Sequence, residues 1–347
     1  NKTVVEEVSW WLRVFDDGTV DRSWTGPPEV EFMLKPVPPH EEFIDGVATR
    51  DVTINANSGL AVRIYLPEIR KPDHDIPPVD KHKLPLILHF HGGGFCITRA
   101  DWYMYYHFYT RLARSAPAIC VSVYLRLAPE HRIPAACDDA YSAFVWLTAV
   151  ARGEFSNQPA CCWLQSYADF GRVFLVGDST GGNLVHELAA RTGRGRDMDS
   201  EPPAVRLAGG VPIHAGFNRA KPSKSFLELP ESPMLTREMV DKFMALGLPL
   251  GGTKDHPLTC PMAAPLLLAG LKLPPMLVVL AEKDLLRDTQ FEYCEAMKAA
   301  GKEVEVLLEA GMGHSYYLNK MAIDADPATA VSVDHLIAHI TNFINRH

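Results

Sequence analysis

Phe174-Leu175-Val176-Gly177-Asp178-Ser179-Thr180-Gly181-Gly182-Asn183 decides how the rest of the chain is read. The apolar run 173–176 reads as a buried strand. It halts at Gly177, turns sharply at Ser179 and resumes as a helix over about 182–191. Strand, G-x-S-x-G corner and helix, in that order, make a nucleophile elbow. The corner lifts one hydroxyl out of the sheet, and glycine on either side leaves room for neighbouring backbone. The helix that follows aims unpaired N–H groups at the place where an oxyanion would form.

Working outward, strands and helices alternate. Apolar runs at 84–90, 119–124, 173–176, 207–214, 276–281 and 304–308 read as buried strands; 52–54 and 61–65 read as antiparallel edge strands of a sheet that begins at about Asp51. Helical patterns fall at about 103–116, 135–150, 289–300 and 331–345. This alternation predicts an α/β fold: a mostly parallel, eight-stranded sheet with helices on both faces.

Two stretches interrupt it. Residues 1–46 open with Val4, Val5, Val8, Trp11 and Leu12 at helical spacing, which predicts an amphipathic helix over 1–13. A hairpin around Asp17-Gly18 and a proline-rich extended connector at 24–46 follow. Trp10, Trp11 and Phe15 would be stranded in solvent unless this segment covers something. It is therefore read as a lid segment ahead of one domain, 47–347. The second interruption, about 216–262, is an insertion with a helical patch at 236–246. The proline- and charge-rich stretch 67–83 reads as a surface loop.

In a parallel sheet the loops at strand C-termini gather along one edge, where ligands bind. Four predicted strands end in reactive or oxyanion-binding groups: Gly92-Gly93-Gly94, Ser179, Asp284 and His314. A serine hydroxyl needs a base, and a histidine has the pKa to take its proton and pass it on. Asp284 would hold the second imidazole N–H; Asp288, four residues on, is its rival and reads as the start of the next helix. The N–H groups of Gly92, Gly93 and Thr180 could face a developing oxyanion. His91 and Asp178 read as braces, and Glu130 with His131 as a buried polar pair. Pocket-wall candidates are Trp102, Phe217, Met234, Phe243, Met244 and Tyr316.

Composition narrows the field. The 347 residues, 47% hydrophobic, suffice for a large core. Net charge is −8 with no long basic run, which argues against nucleic acid; the short 191–196 arginine cluster reads as a solvated loop. No apolar run reaches the ~18 residues of a membrane helix, and the opening residues carry no secretory apolar core. Seven cysteines at irregular spacing, including vicinal Cys161-Cys162, read as reduced thiols of a cytoplasmic protein. No Cys/His spacing suits a metal.

Several ordered motifs together resemble the plant carboxylesterases, in the hormone-sensitive-lipase-like branch of the α/β-hydrolases that also contains the gibberellin receptors. They are His91-Gly92-Gly93-Gly94-Phe95, Arg126-Leu127-Ala128-Pro129-Glu130-His131, Gly177-Asp178-Ser179-Thr180-Gly181-Gly182-Asn183, Glu282-Lys283-Asp284 and Gly313-His314, with Val14–Val20 and Asp255-His256-Pro257 beside them. The resemblance spans essentially the whole chain. It implies an α/β-hydrolase fold with a lid of residues 1–46 plus the insertion. It also implies a serine carboxylesterase acting on small-molecule esters without a cofactor, as a monomer or weak homodimer. The receptors of this branch lack the catalytic histidine, whereas His314 is present here; a dehydratase on the same scaffold is the other alternative. Thr180 departs from the usual Ala or Ser, and Tyr124-Leu125 from the usual Asn-Tyr.

Overall fold

A computed structural model describes residues 2–69, 83–194 and 203–347. Most of the loop expected at 67–83 and the end of the 191–196 cluster lie outside them.

Eight strands form one sheet in the order β11-β10-β9-β8-β6-β7-β5-β4. These are β4 (Val47–Asn55), β5 (Leu60–Pro67), β6 (Leu84–Phe90), β7 (Ile119–Val123), β8 (Ala168–Asp178), β9 (Leu207–Ile213), β10 (Met276–Ala281) and β11 (Val304–Glu309). From β7 through β11 every pairing is parallel; β4 and β5 add an antiparallel edge. The alternating side chains of β8 divide between two cores. Val173 and Leu175 join the helices Ala135–Ala151, Thr180–Gly193 and Arg287–Ala299. Phe174 and Val176 join the helices Tyr103–Ser115 and Pro327–Arg346 on the other face. That division is why the central strands read as continuous apolar runs. No helix among the described residues is long and apolar enough to cross a membrane.

The N-terminus corrects one expectation. The segment expected to be helical, 1–13, is instead a strand pair: β1 (Val4–Val8) lies antiparallel to β2 (Leu12–Phe15), with β3 (Val20–Asp21) closing the expected hairpin. Two of the five apolar residues, Val4 and Val5, face solvent. β-Branched valines favour extended backbone, and a turn with Trp10 at φ 69° separates the strands. The connector is not wholly extended either, since Pro28–Leu34 winds into a 3-10 helix.

In the insertion, Thr236 caps the helix Arg237–Gly247 by accepting the Met239 N–H. That helix packs on the N-terminal hairpin, where Lys242 donates to the Glu7 carbonyl at 2.5 Å. Arg22 ties the hairpin to the body, donating to the carbonyls of Cys96 (2.6 Å) and Ala128 (2.9 Å) and to Glu130. Glu130 and His131 are thus exposed rather than a buried pair, because the partner of Glu130 is this distant arginine.

Candidate active site

Every group of the site hangs from the C-terminal end of a parallel strand. Ser179 follows β8, with φ 49° and ψ −122°. That strained turn is held by close backbone contact: a Cβ on Gly177 would lie 2.3 Å from the Gly181 carbonyl oxygen, and one on Gly181 2.0 Å from that of Phe90. Asn183, one turn into the helix, donates to the carbonyls of Gly216 (3.1 Å) and Leu258 (3.0 Å), so the elbow also anchors the insertion.

His314 follows β11 and Asp284 follows β10. His314 Nε2 lies 3.0 Å from Ser179 Oγ, and Nδ1 lies 2.8 Å from Asp284 Oδ2. Asp284 is fully buried. Burial alone would raise its carboxyl pKa. The adjoining His314 imidazole and the Leu286 N–H (2.9 Å) outweigh burial and hold it below the usual range. Gln290 Nε2 donates to it as well, at 3.0 Å. Asp288 lies elsewhere, accepting the Ser225 N–H at 2.7 Å in the first turn of its helix. With Nδ1 turned to Asp284, Nε2 is left facing the serine, the arrangement a base requires.

His214 and its neighbours lie beneath this trio. Ligating atoms of His214, Asp284 and His314 fall within 4.8 Å of one another, as in a metal cluster. Yet each is already engaged: His214 Nδ1 accepts the Ser315 N–H and Nε2 meets Glu309.

The glycine loop changes one assignment. The Gly92 N–H is already engaged, shared between Tyr105 Oη and Asp178 Oδ1, each at 3.2 Å. Asp178, 2% exposed, accepts from Tyr105 too, at 3.1 Å. Gly93 and Gly94 instead line the cavity beside Ser179 and Thr180, and their N–H groups have no acceptor among the described residues. Thr180 opens its helix, so its N–H has no intrahelical acceptor either. Of the three donors expected, Gly93 and Thr180 keep free N–H groups beside Ser179, while that of Gly92 is engaged and Gly94 takes its place. The triple glycine signals all three equally; the Tyr105 hydroxyl and the carboxylate on β8 distinguish them. His91 sits behind the loop, its Nδ1 against Thr98 Oγ1 (2.9 Å), and burial pushes its pKa down to about 4.

Among the expected pocket residues, Met234, Phe243 and Met244 line the cavity, joined by Trp11, Met239 and Leu318. Three do not. Phe217 is fully buried and stacks on Tyr293 with centroids 4.1 Å apart. Tyr316 turns inward, its hydroxyl bonded to Glu309 and to the Ser332 carbonyl. Trp102 borders a separate crevice with Arg22 and Trp24. For Phe217 and Tyr316 a partner on another element claims the ring or its hydroxyl.

Residues 87–318 match the family model described as alpha/beta hydrolase fold. The chain belongs to the alpha/beta hydrolase fold family. This hydrolase is 32% identical to "Probable carboxylesterase 6" of Arabidopsis thaliana over 91% of its own length and 85% of that protein's. It is 33% identical to "2-hydroxyisoflavanone dehydratase" of Glycyrrhiza echinata, over 99% and 97%. Among solved structures, an esterase of Pyrobaculum calidifontis superposes with a TM-score of 0.64 at 29% identity, covering 85% of the hydrolase and 84% of that chain. The hydrolase is accordingly a carboxylic ester hydrolase of plant carboxylesterase type.

Proposed function

We propose that the protein is a serine carboxylesterase that cleaves small-molecule esters through an acyl-enzyme on Ser179. The observation that carries this reading is the continuous line from Asp284 through His314 to Ser179, at 2.8 and 3.0 Å. Asp284 keeps the imidazole proton on Nδ1, so the Nε2 lone pair faces the hydroxyl. Ser179 Oγ attacks the ester carbonyl as its proton moves to Nε2. The N–H groups of Gly93, Gly94 and Thr180 stabilise the oxyanion; a single such donor is worth about 3 kcal/mol of barrier. Collapse expels the alkoxide, which takes the proton from His314. Water then repeats the sequence and releases the acid. Residues 1–46 and the 216–262 insertion act as the lid, a reading supported by Trp11 and Met234 both lining the cavity.

All of these groups come from one chain, so a monomer or weak homodimer suffices. The seven free thiols support a reducing, cytoplasmic setting.

Ser179→Ala should lower turnover of p-nitrophenyl acetate by at least a thousandfold, and an alkyl phosphonate should add its mass to Ser179. Undiminished turnover in the variant would end the proposal. Water loss from a substrate with no acyl-Ser179 intermediate would favour the dehydratase alternative instead.

A further inference from the structure

A second, larger cavity adjoins the first. The cavity at Ser179 measures about 70 Å³ and its neighbour about 200 Å³. Trp11, Met104, Met234 and Leu318 line both, so the partition consists of side chains with a face on either side. Two of the four are methionines, which repack readily because they are unbranched.

The far wall belongs to the N-terminal segment. Trp24 stands edge-on to Trp10 and Trp11, with centroids at 5.9 and 4.8 Å. Its indole N–H donates to the Pro27 carbonyl at 2.9 Å, so the ring brings no unpaired donor to the cavity. Its position depends on Gly26, where a Cβ would lie 2.3 Å from the indole. Val30 and Met33 complete the apolar wall, and Met321 stands at the rim. Glu29 is the one charged residue lining it among the described residues. The side-chain oxygen of Asn319 is engaged in capping the Ala322 N–H.

We propose that this cavity receives the larger arm of the substrate: an uncharged apolar ring system joined through the ester to a short arm held beside Ser179. This inference deepens the esterase reading and rests on it. Size sets the class. An apolar cavity of about 150 Å³ admits benzene, so the tryptophan-walled cavity admits one ring with a few further carbons. The small cavity at Ser179 leaves room for a group of roughly acetyl size. Glu29, which makes no ion pair among the described residues, repels a carboxylate and so disfavours one on the large arm.

Three esters test this by acid release: ethyl acetate, 2-phenylethyl acetate with its ring on the alcohol, and ethyl 3-phenylpropanoate with its ring on the acid. The wild-type protein should prefer one of the two ring-bearing esters over ethyl acetate by at least tenfold in kcat/KM. Which one it prefers identifies the arm. Val30→Phe, which fills the cavity, and Met321→Trp, at the partly exposed rim, should each reduce that ratio at least tenfold. A readout without turnover is tryptophan emission of the Ser179→Ala protein. A bromophenyl analogue of the preferred ester should quench it, and quenching should be lost when Val30→Phe is added. Turnover of ethyl acetate with no ring preference, or a ratio unchanged in both variants, would overturn the second-cavity inference while leaving the esterase reading intact. Absence of hydrolysis of all three would overturn both.

Discussion

The backbone N–H of Ser315 donates to His214 Nδ1 at 2.9 Å, one residue beyond His314. Accepting there leaves the His214 proton on Nε2, which faces Glu309 Oε2 at 3.1 Å. Glu309 is held in turn by the Tyr316 hydroxyl. The loop carrying His314 is thus fastened from below by a buried relay that touches no reacting atom.

His214→Ala should lower kcat about tenfold to a hundredfold with KM little changed, since a loosened loop misaligns the base. It should also lower stability by about 1–3 kcal/mol by leaving buried polar groups unpaired. His214→Asn, whose side-chain oxygen can accept the Ser315 N–H, should recover part of kcat. Equal rate losses in the two variants would remove the positioning role.

Gly93→Ala should lower kcat by 10²–10³, about 3–4 kcal/mol of barrier, by displacing an oxyanion donor. Its φ of 98° is costly for alanine, and the added Cβ would lie 2.3 Å from the Ile97 carbonyl oxygen. Thr180→Ser keeps both the N–H and the hydroxyl that accepts from the Phe95 N–H at 3.3 Å. It should therefore stay within about threefold of wild type. Steady-state kinetics on p-nitrophenyl acetate decides both; a rate unaltered in Gly93→Ala would dismiss this loop as the oxyanion site.

Stability should fall as pH drops from about 6.5 towards 4. Burial pushes His91 and His186 down to about 4. Both stay neutral in the fold, while the unfolded chain protonates them below about 6.5. Extra protons on the unfolded state favour unfolding, by about 1.4 kcal/mol per pH unit for each group. The contribution is complete above pH 6.5 and gone once pH has passed the folded value. His186→Gln should make the slope shallower by one group's share, read from urea midpoints at pH 7, 5.5 and 4.5. Parallel slopes in variant and wild type would contradict it.

Arg22→Ala should free the N-terminal hairpin. The lost hydrogen bonds to the Cys96 and Ala128 carbonyls are part-buried and together worth about 1–3 kcal/mol. The exposed Glu130 adds little, so Glu130→Ala should cost about 1 kcal/mol or less. Limited proteolysis should cut the 16–26 segment faster in Arg22→Ala than in Glu130→Ala. Equal cutting in both would shift the anchor to the ion pair.

The order of strands and helices, the elbow at Ser179 and the placing of Asp284 and His314 at strand ends were all legible along the chain. Each is a local pattern: apolar period, glycine spacing, a polar residue where an apolar run stops. Parallel pairing then brings those ends to one edge whatever the details. What the chain alone could not decide was direction. Gly92, Gly93 and Gly94 are equivalent in sequence, and it is Tyr105 and Asp178, packing from other elements, that draw one N–H away. Phe217 and Tyr316 could as well have lined the cavity as the core until Tyr293 and Glu309 met them from other elements. The valines of 4–8 suited helix or strand until residues 12–15 supplied a pairing partner. Hydrogen-bond direction and ring facing are set by neighbours that only tertiary packing brings together, so they belong to the fold and not to any stretch of sequence.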